Sequence, residues 1–161
     1  MSFTREELLR PSLRGATPAK APYSLQTMVL ASFFGGPFAA IAMIGANSVL
    51  LQRWRQDLLP LGLVLAATLG FLAALHLTPW GAGLRGDLAS FAGPRALSYL
   101  SRVIGLVIFG IGYALHRSEQ RSADFMGLDR PNGLIGGILC ILAGIATSFA
   151  VSFLLVVARG L

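Results

Sequence analysis

Four long apolar stretches that contain no acidic residue dominate this sequence. They run approximately over residues 25–51, 58–77, 96–115 and 134–158. Each is long enough to cross about 30 Å of hydrocarbon, which takes about 20 residues of helix. The carboxylates all fall outside these stretches: Glu6, Glu7, Asp57, Asp87, Glu119, Asp124 and Asp129. The pattern predicts four membrane-spanning segments.

The same segments favour helices over a barrel. Backbone groups in lipid must be hydrogen-bonded within the protein, so a span is either a helix or part of a closed barrel. None of the four segments alternates polar and apolar residues as barrel strands do. Charged residues make up 12% of the chain, against about a quarter in soluble domains. We therefore predict an all-α integral membrane bundle of four transmembrane helices in a bacterial inner membrane, with the lipid bilayer as its partner.

The first segment carries a motif that interrupts helices. Gly35, Gly36 and Pro37 follow one another about a third of the way along it. A proline inside a helix removes one backbone hydrogen bond and clashes with the preceding turn, which predicts a kink. The link to the second segment is short, and Pro60 suits the first turn of the next helix. The first two helices should therefore form a tight antiparallel hairpin.

The link over residues 78–95 is rich in glycine and proline and is predicted to be the least regular part of the chain. Within it, Gly81, Gly83 and Gly86 match the dinucleotide-binding pattern G-x-G-x-x-G. That pattern binds a nucleotide only between a strand and a helix, with an acidic residue about 20 positions further on. Here it follows a membrane helix, and the region of residues 104–106 contains no acid. We interpret the glycines as flexibility in an interfacial loop.

The basic residues do not indicate nucleic acid. The net charge is +6, but the 13 Lys and Arg residues are scattered singly between apolar segments and form no stripe. Anionic headgroups are the better counter-charge. Residues 1–22 are polar and carry Thr4 and Glu7 in the spacing of a capping box. A short surface helix and a solvated tail are both compatible with this stretch.

Orientation follows from basic residues near the helix ends. Four crossings place eight of them on the side of the N-terminus and five on the other. The eight are Arg5, Arg10, Arg14, Lys20, Arg85, Arg95, Arg102 and Arg159, and the five are Arg53, Arg55, Arg117, Arg121 and Arg130. This balance favours cytoplasmic termini, although Arg53 and Arg55 beside the first hairpin argue the other way.

Small residues recur at every fourth position on two of the segments. They are Gly62, Ala66, Gly70 and Ala74 on the second, and Gly136, Cys140, Gly144, Ser148 and Ser152 on the fourth. Residues four apart share a helix face, and in lipid such smooth faces let two helix backbones approach closely. We expect these rows to pack the helices of one monomer together. The alternative is that they form a contact with a second copy or a partner membrane protein.

Few residues within the segments could carry chemistry. A proton-coupled transporter or an intramembrane protease usually places a carboxylate or an activated nucleophile at depth, and the segments contain no acid. The polar candidates for interhelical, lipid or solute contacts are Asn47, His76 and Arg102. Cys140 is the sole cysteine, so neither a disulfide nor a zinc cluster is expected within one chain. We predict no catalytic residue, metal or cofactor.

One resemblance adds to this interpretation. The run from Tyr23 and Ser24 through Phe33, Phe34, Gly35, Gly36, Pro37, Phe38 and Ala39 to Asn47 resembles the first helix of a group of small multi-pass bacterial membrane proteins that carry no assigned activity. The resemblance covers about a quarter of the chain. It implies a shared structural device in the first helix and supplies no substrate or catalytic residue.

Two function classes remain. The leading hypothesis is a noncatalytic accessory or assembly subunit whose role is helix packing in the bilayer. The alternative is a small oligomeric transport or channel component, whose pathway Asn47, His76 and Arg102 would line. A membrane enzyme would need residues such as His116, Asp87 or Asp124 to converge, and their spacing does not require that.

Overall fold

The chain folds as a bundle of helices, as predicted. A computed structural model describes residues 21–160, and this range contains helices and no strand. The helices are α1 (Leu25–Leu50), α2 (Trp54–Leu77), α3 (Pro79–Ala92), α4 (Ala96–Leu115), α5 (Arg117–Phe125) and α6 (Gly133–Gly160). The four predicted apolar segments lie in α1, α2, α4 and α6, each long and apolar enough to cross a membrane. The predicted tail or surface helix of residues 1–22 falls outside the described residues, apart from Ala21 and Pro22.

The predicted kink in α1 is present, and the chain turns there more sharply than in a bent but continuous helix. Gly36 has φ 71° and ψ −158°, which is not helical and belongs to a region that only glycine occupies readily. Beyond it the chain runs back beside itself, because Asn47 near the end of α1 is 3.0 Å from the sulfur of Met28 near its start. Met28 and Ala31 pack on Met43 across the turn. α1 is therefore a hairpin of two half-helices, residues 25–35 and 37–50.

The tip of this hairpin lies about halfway along the bundle. A half-helix of this length rises roughly 16–21 Å, about half to two thirds of a hydrocarbon core. A Cβ atom on Gly105, in the middle of α4, would lie 2.5 Å from the carbonyl oxygen of Ser32. One on Gly144, in the middle of α6, would lie 2.6 Å from the backbone nitrogen of Ala39. Glycine at both positions lets α4 and α6 approach the hairpin near its tip.

The hairpin occupies the centre, and α2, α4 and α6 surround it. Half of the residues of α1, 13 of 26, are buried, whereas two residues of α6 are buried, Gly137 and Gly144. We call the end where α1 both begins and finishes the base; α2 and α6 start there and α4 ends there. The opposite end holds the end of α2, all of α3, the start of α4 and the end of α6. Tyr23 therefore lies at the base and Gly160 at the opposite end, and the expectation of both termini on one side does not follow from this arrangement.

Two local predictions are wrong. The link over residues 78–95 is mostly helical: Thr78 caps α3 by accepting a hydrogen bond from the backbone N–H of Gly81, and Pro79 occupies its first turn. Gly81 is buried there, since a Cβ atom would lie 2.4 Å from the carbonyl oxygens of Ala74 and Leu75. The motif glycines are thus part of a helix that packs on the end of α2, and they do not form a flexible loop.

The second helix also begins four residues earlier than predicted, at Trp54, so Pro60 lies inside it. This earlier start brings Asp57 into the first turn of α2. A carboxylate is favourable there because it faces the positive end of the helix dipole. The prediction that every acid lies outside the apolar helices is therefore wrong for Asp57, which is buried.

Candidate functional site

A space opens beyond the tip of the hairpin because α1 fills only part of the length of the bundle. It consists of two adjoining cavities of about 440 and about 150 Å³, which share Leu97, Ser101, Ser148 and Ser152 as lining residues. Gly36 and Pro37 form its inner end. We call this space the vestibule. A volume of this order suits a small ligand.

The walls of the vestibule carry several hydroxyl groups. Ser98 and Ser101 line it from the first turns of α4, and Ser148 and Ser152 line it from the second half of α6. Thr68 and His76 reach the smaller cavity from α2. The hydroxyls of Thr68 and Ser148 donate to carbonyl oxygens one turn back, Val64 and Gly144. These bonds satisfy Thr68 and Ser148 within their own helices, which leaves Ser98, Ser101 and Ser152 as the candidate hydroxyl donors to water or a polar ligand.

Arg102 is the positively charged residue that lines the larger cavity. Its guanidinium carbon lies 5.1 Å from the ring centre of Phe33 and 5.9 Å from that of Tyr99, distances at which a cation is attracted to an aromatic face. The ion pairs among residues 21–160 are Arg53–Glu119, His116–Asp57 and Arg130–Asp124, and none involves Arg102. Two aromatic rings thus hold this cation beside the vestibule without neutralising it.

Asn47, by contrast, belongs to the base and does not reach the vestibule. Its side-chain oxygen accepts the backbone N–H of Tyr23 at 2.8 Å, and its nitrogen faces the sulfur of Met28. Gln120 and Arg130 both donate to the carbonyl oxygen of Tyr23. The contacts of Asn47 tie the two ends of the hairpin together, and those of Gln120 and Arg130 hold Tyr23 against the segment between α4 and α6.

A second polar cluster at the base joins three helices. His116 Nε2 lies 2.9 Å from Asp57 Oδ2 and 3.4 Å from the hydroxyl of Ser48. Ser48 is at the end of α1, Asp57 at the start of α2, and His116 directly follows α4. The side chains of Asp57 and His116 are 4% and 0% exposed. The pair therefore fixes the second half of the hairpin against both neighbouring helices.

This cluster does not have the geometry of a hydrolytic triad. In a triad the acid holds one ring nitrogen of the histidine and the nucleophile contacts the other. Here Asp57 and Ser48 both face Nε2, while Nδ1 is buried with no hydrogen-bond partner. The Ser48 hydroxyl also lies 3.0 Å from the carbonyl oxygen of Ile44. Asp87 and Asp124, considered as partners of His116, are both exposed.

The two rows of small residues lie in different surroundings. On α6, Cβ atoms on Gly136 and Gly144 would collide with Tyr23 and Ala39 of the hairpin, and Cys140 packs beside Met28. Ser148 and Ser152 continue that row into the vestibule. On α2 the row faces outward. A Cβ atom on Gly62 or Gly70 would meet nothing within 4 Å, and Ala66 is exposed; Ala74, at the end of the row, contacts α3 through its carbonyl oxygen.

The sequence pointed to parts of this site and missed others. His76 and Arg102 lie at the vestibule, as the transport hypothesis expects of lining residues, whereas Asn47 does not. Ser98 and Ser101 were missed. Their signal is a spacing of three just ahead of Arg102, which puts the serines on one side of α4. Comparison with protein-family models, curated proteins and solved structures finds no match to this chain.

Proposed function

We propose that the protein is a transport or channel component of the bacterial inner membrane that takes a small polar solute into the vestibule. The observation that carries this proposal is the broken helix, whose tip at Gly36 and Pro37 forms the inner end of a hydroxyl-lined cavity. Helices interrupted near the middle of the bilayer are typical of solute sites in transporters. Non-helical backbone at that depth is tolerated where it is buried in protein or lines a water-filled cavity.

Passage toward the base requires the hairpin to move. Beyond the tip, the apolar cluster of Met28, Ala31 and Met43 fills the interior, and the Asp57–His116 pair closes the layer behind it. The vestibule is thus closed toward the base. A solute would cross when the hairpin shifts against α4 and α6, where contacts are made through Gly105 and Gly144, or when several copies enclose a common path.

Basic residues orient the bundle with its base in the cytoplasm. Near the base are Arg53, Arg55, Arg117, Arg121 and Arg130, and the residues before Ala21, which join the bundle at this end, add Arg5, Arg10, Arg14 and Lys20. These make nine, against four at the opposite end: Arg85, Arg95, Arg102 and Arg159. The cytoplasmic excess of Lys and Arg therefore turns the vestibule toward the periplasm.

Solute flux into reconstituted vesicles tests the proposal. Light scattering after osmotic shock would follow glycerol, urea, potassium acetate and potassium phosphate in vesicles with and without the protein. We expect at least one solute to enter faster than into protein-free vesicles. Ser101→Leu, which places an apolar side chain in the vestibule, should abolish that gain, whereas Ala66→Leu on the outer face of α2 should keep it. Equal rates with and without protein for the whole panel would contradict the proposal.

A second candidate function is a noncatalytic accessory or assembly subunit, and the outward row on α2 favours it. Gly62 and Gly70 have open space around them and would let another helix approach. Purification in mild detergent separates the two functions. A stoichiometric partner that Gly70→Leu releases supports the accessory role, and a homo-oligomer that passes solute supports transport.

A further inference from the structure

We infer that the vestibule binds an oxyanion, a phosphate or carboxylate group, with Arg102 as its counter-charge and serine hydroxyls as additional donors. The role of that anion as a transported solute rests on the proposed function, but its binding does not. The inference stands on the cavity, on the charges that line it and on the donors that face it.

The lining residues determine the sign of the electrostatic potential in the vestibule. Arg102 lines the larger cavity and His76 the smaller one, and no carboxylate lines either of them within residues 21–160. The hairpin itself adds little net field, because the negative end of its first half-helix and the positive end of its second meet at the same tip. The side chains therefore set the sign, which is positive, and a cation would be repelled.

Arg102 is arranged to donate hydrogen bonds. Phe33 and Tyr99 hold its guanidinium group through their ring faces, an attraction that does not consume the in-plane N–H groups. Those N–H groups form a planar fork that matches two oxygens of a carboxylate or phosphate. Two parallel N–H groups are spaced to meet two oxygens of one anion better than the single centre of a halide, so the fork favours an oxyanion over chloride.

Hydroxyl donors lie close to that fork. Ser98 and Ser101 precede Arg102 on the same helix, and Ser148 and Ser152 line the cavity from α6. The Ser148 hydroxyl donates to the carbonyl oxygen of Gly144, so Ser98, Ser101 and Ser152 carry the hydroxyl donors that can turn toward an anion. The charged side chains described at this end, apart from Arg102, are Arg85, Arg95, Arg159 and Asp87, so the surroundings add positive charge as well.

The oxyanion has two sources. It can be a free anion from the aqueous phase, or the headgroup of an anionic lipid that reaches the vestibule from the side. The side route is open because Phe34 and Phe149, which also line the larger cavity, are 58% and 74% exposed. Acyl chains would lie against those two rings while the headgroup meets Arg102. Both sources present an oxyanion group, and in both cases Arg102 would bind it.

Binding to the purified protein in detergent tests the inference. Thermal unfolding would be followed during titration with sodium phosphate or sodium acetate, against sodium chloride at matched ionic strength. Native mass spectrometry would compare retention of phosphatidylglycerol with that of phosphatidylcholine. We expect stabilisation by phosphate or acetate over chloride, or selective retention of phosphatidylglycerol. The first result assigns a free anion and the second a lipid headgroup.

Variants identify the residue responsible. Arg102→Gln should weaken binding about tenfold or more, the loss expected when a charge-assisted hydrogen bond is removed. Arg102→Lys keeps the charge but loses the planar fork, so it should bind with intermediate affinity and lose most of the preference for phosphate or acetate over chloride. Arg95→Gln, at the same end but outside the cavity lining, should match the unmodified protein. If Arg102→Gln does not fold, Ser101→Ala with Ser152→Ala provides the second test, with an expected weakening of several-fold.

Three results would overturn the inference: no preference for phosphate or acetate over chloride together with equal retention of both lipids, binding unchanged in Arg102→Gln, or equal losses in Arg102→Gln and Arg95→Gln. Its failure is distinguishable from failure of the proposed function. Flux of glycerol or urea without oxyanion binding would leave transport standing and remove the inference. Oxyanion binding without flux of any solute would support the inference and contradict the proposed transport function.

Discussion

The backbone N–H of Tyr23 donates a hydrogen bond of 2.8 Å to the side-chain oxygen of Asn47, although the two residues are 24 positions apart. A continuous helix would separate them by roughly 36 Å at 1.5 Å per residue. This bond therefore requires the chain to reverse between them, and the reversal is at Gly36. The central hairpin, the vestibule beyond its tip and the position of both described ends all follow from that reversal.

Gly36→Ala should destabilise the protein by about 1–3 kcal/mol, because φ 71° at this position is strained for any residue with a Cβ atom. The new methyl group would also lie 2.7 Å from the hydroxyl of Ser101. Adding Ser101→Ala relieves that contact but not the backbone strain, so it should restore only part of the loss. Thermal unfolding in detergent measures both variants.

Pro37→Ala distinguishes a hairpin from a kinked continuous helix. In the hairpin, Pro37 opens the second half-helix, a position where proline is favourable. Its removal should lower stability slightly, by about 0.4–1 kcal/mol, through the entropy of the unfolded chain. In a continuous helix the same substitution would restore a backbone hydrogen bond and raise stability. A clear increase in the unfolding temperature would contradict the hairpin.

Asp57→Ala should cost about 1–3 kcal/mol, because it leaves His116 in a buried site without its hydrogen-bond partner. His116→Ala should cost a similar amount. The double variant should cost clearly less than the two single losses added together, since removing both partners leaves no unpaired group. Unfolding of the four proteins in a double-mutant cycle measures this coupling.

Glu119→Gln provides the matched control for that cycle. Glu119 pairs with Arg53 at the same end of the bundle, but these side chains are 17% and 34% exposed. Solvent screens such pairs, so the loss should stay below about 1 kcal/mol. Strict additivity in the Asp57–His116 cycle, or a Glu119→Gln loss as large as that of Asp57→Ala, would contradict the structural role given to the buried pair.

Gly144→Leu and Gly70→Leu should have different consequences. Even a Cβ atom at Gly144 would lie 2.6 Å from the backbone nitrogen of Ala39, so leucine there should prevent the hairpin from packing and yield aggregated protein. Gly70 has open space, so leucine there should leave a folded monomer. Size-exclusion chromatography in detergent measures both. A folded Gly144→Leu monomer would show that the α6 row does not hold the monomer together.

The positions of the apolar helices could be predicted from the sequence, since about 20 mostly apolar residues without an acid are enough to cross the hydrocarbon core as a helix. The interruption at Gly35, Gly36 and Pro37 could be predicted for the same local reason, because glycine and proline act on the backbone directly. The early start of α2 could not. The first turn of α2 carries Asp57, whose partner His116 is 59 positions away and lies outside any local pattern.

The reversal of the chain at Gly36 could not be predicted from the local sequence either. A proline in a helix predicts a bend, but it does not predict that the chain turns back on itself. A signal was nevertheless present in α1. Small residues are frequent in the middle of α1, and the polar residues Asn47 and Ser48 follow near its end. Both features are expected of a segment that is surrounded by other helices. By contrast, α2 and α6 carry bulky exposed side chains such as Leu63 and Phe153, as expected of helices that face lipid.

Labelling of single cysteines with a membrane-impermeant maleimide tests the hairpin most directly. In a Cys140→Ala background, Gln26→Cys places one exposed thiol in the first turn of α1, Gln56→Cys places one in the first turn of α2, and Ala92→Cys places one at the opposite end of the bundle. The hairpin predicts that positions 26 and 56 react from the same side of sealed membranes and position 92 from the other. Reaction of 26 and 92 from one side, with 56 from the other, would mean that α1 crosses the bilayer, and the account of the vestibule would be contradicted.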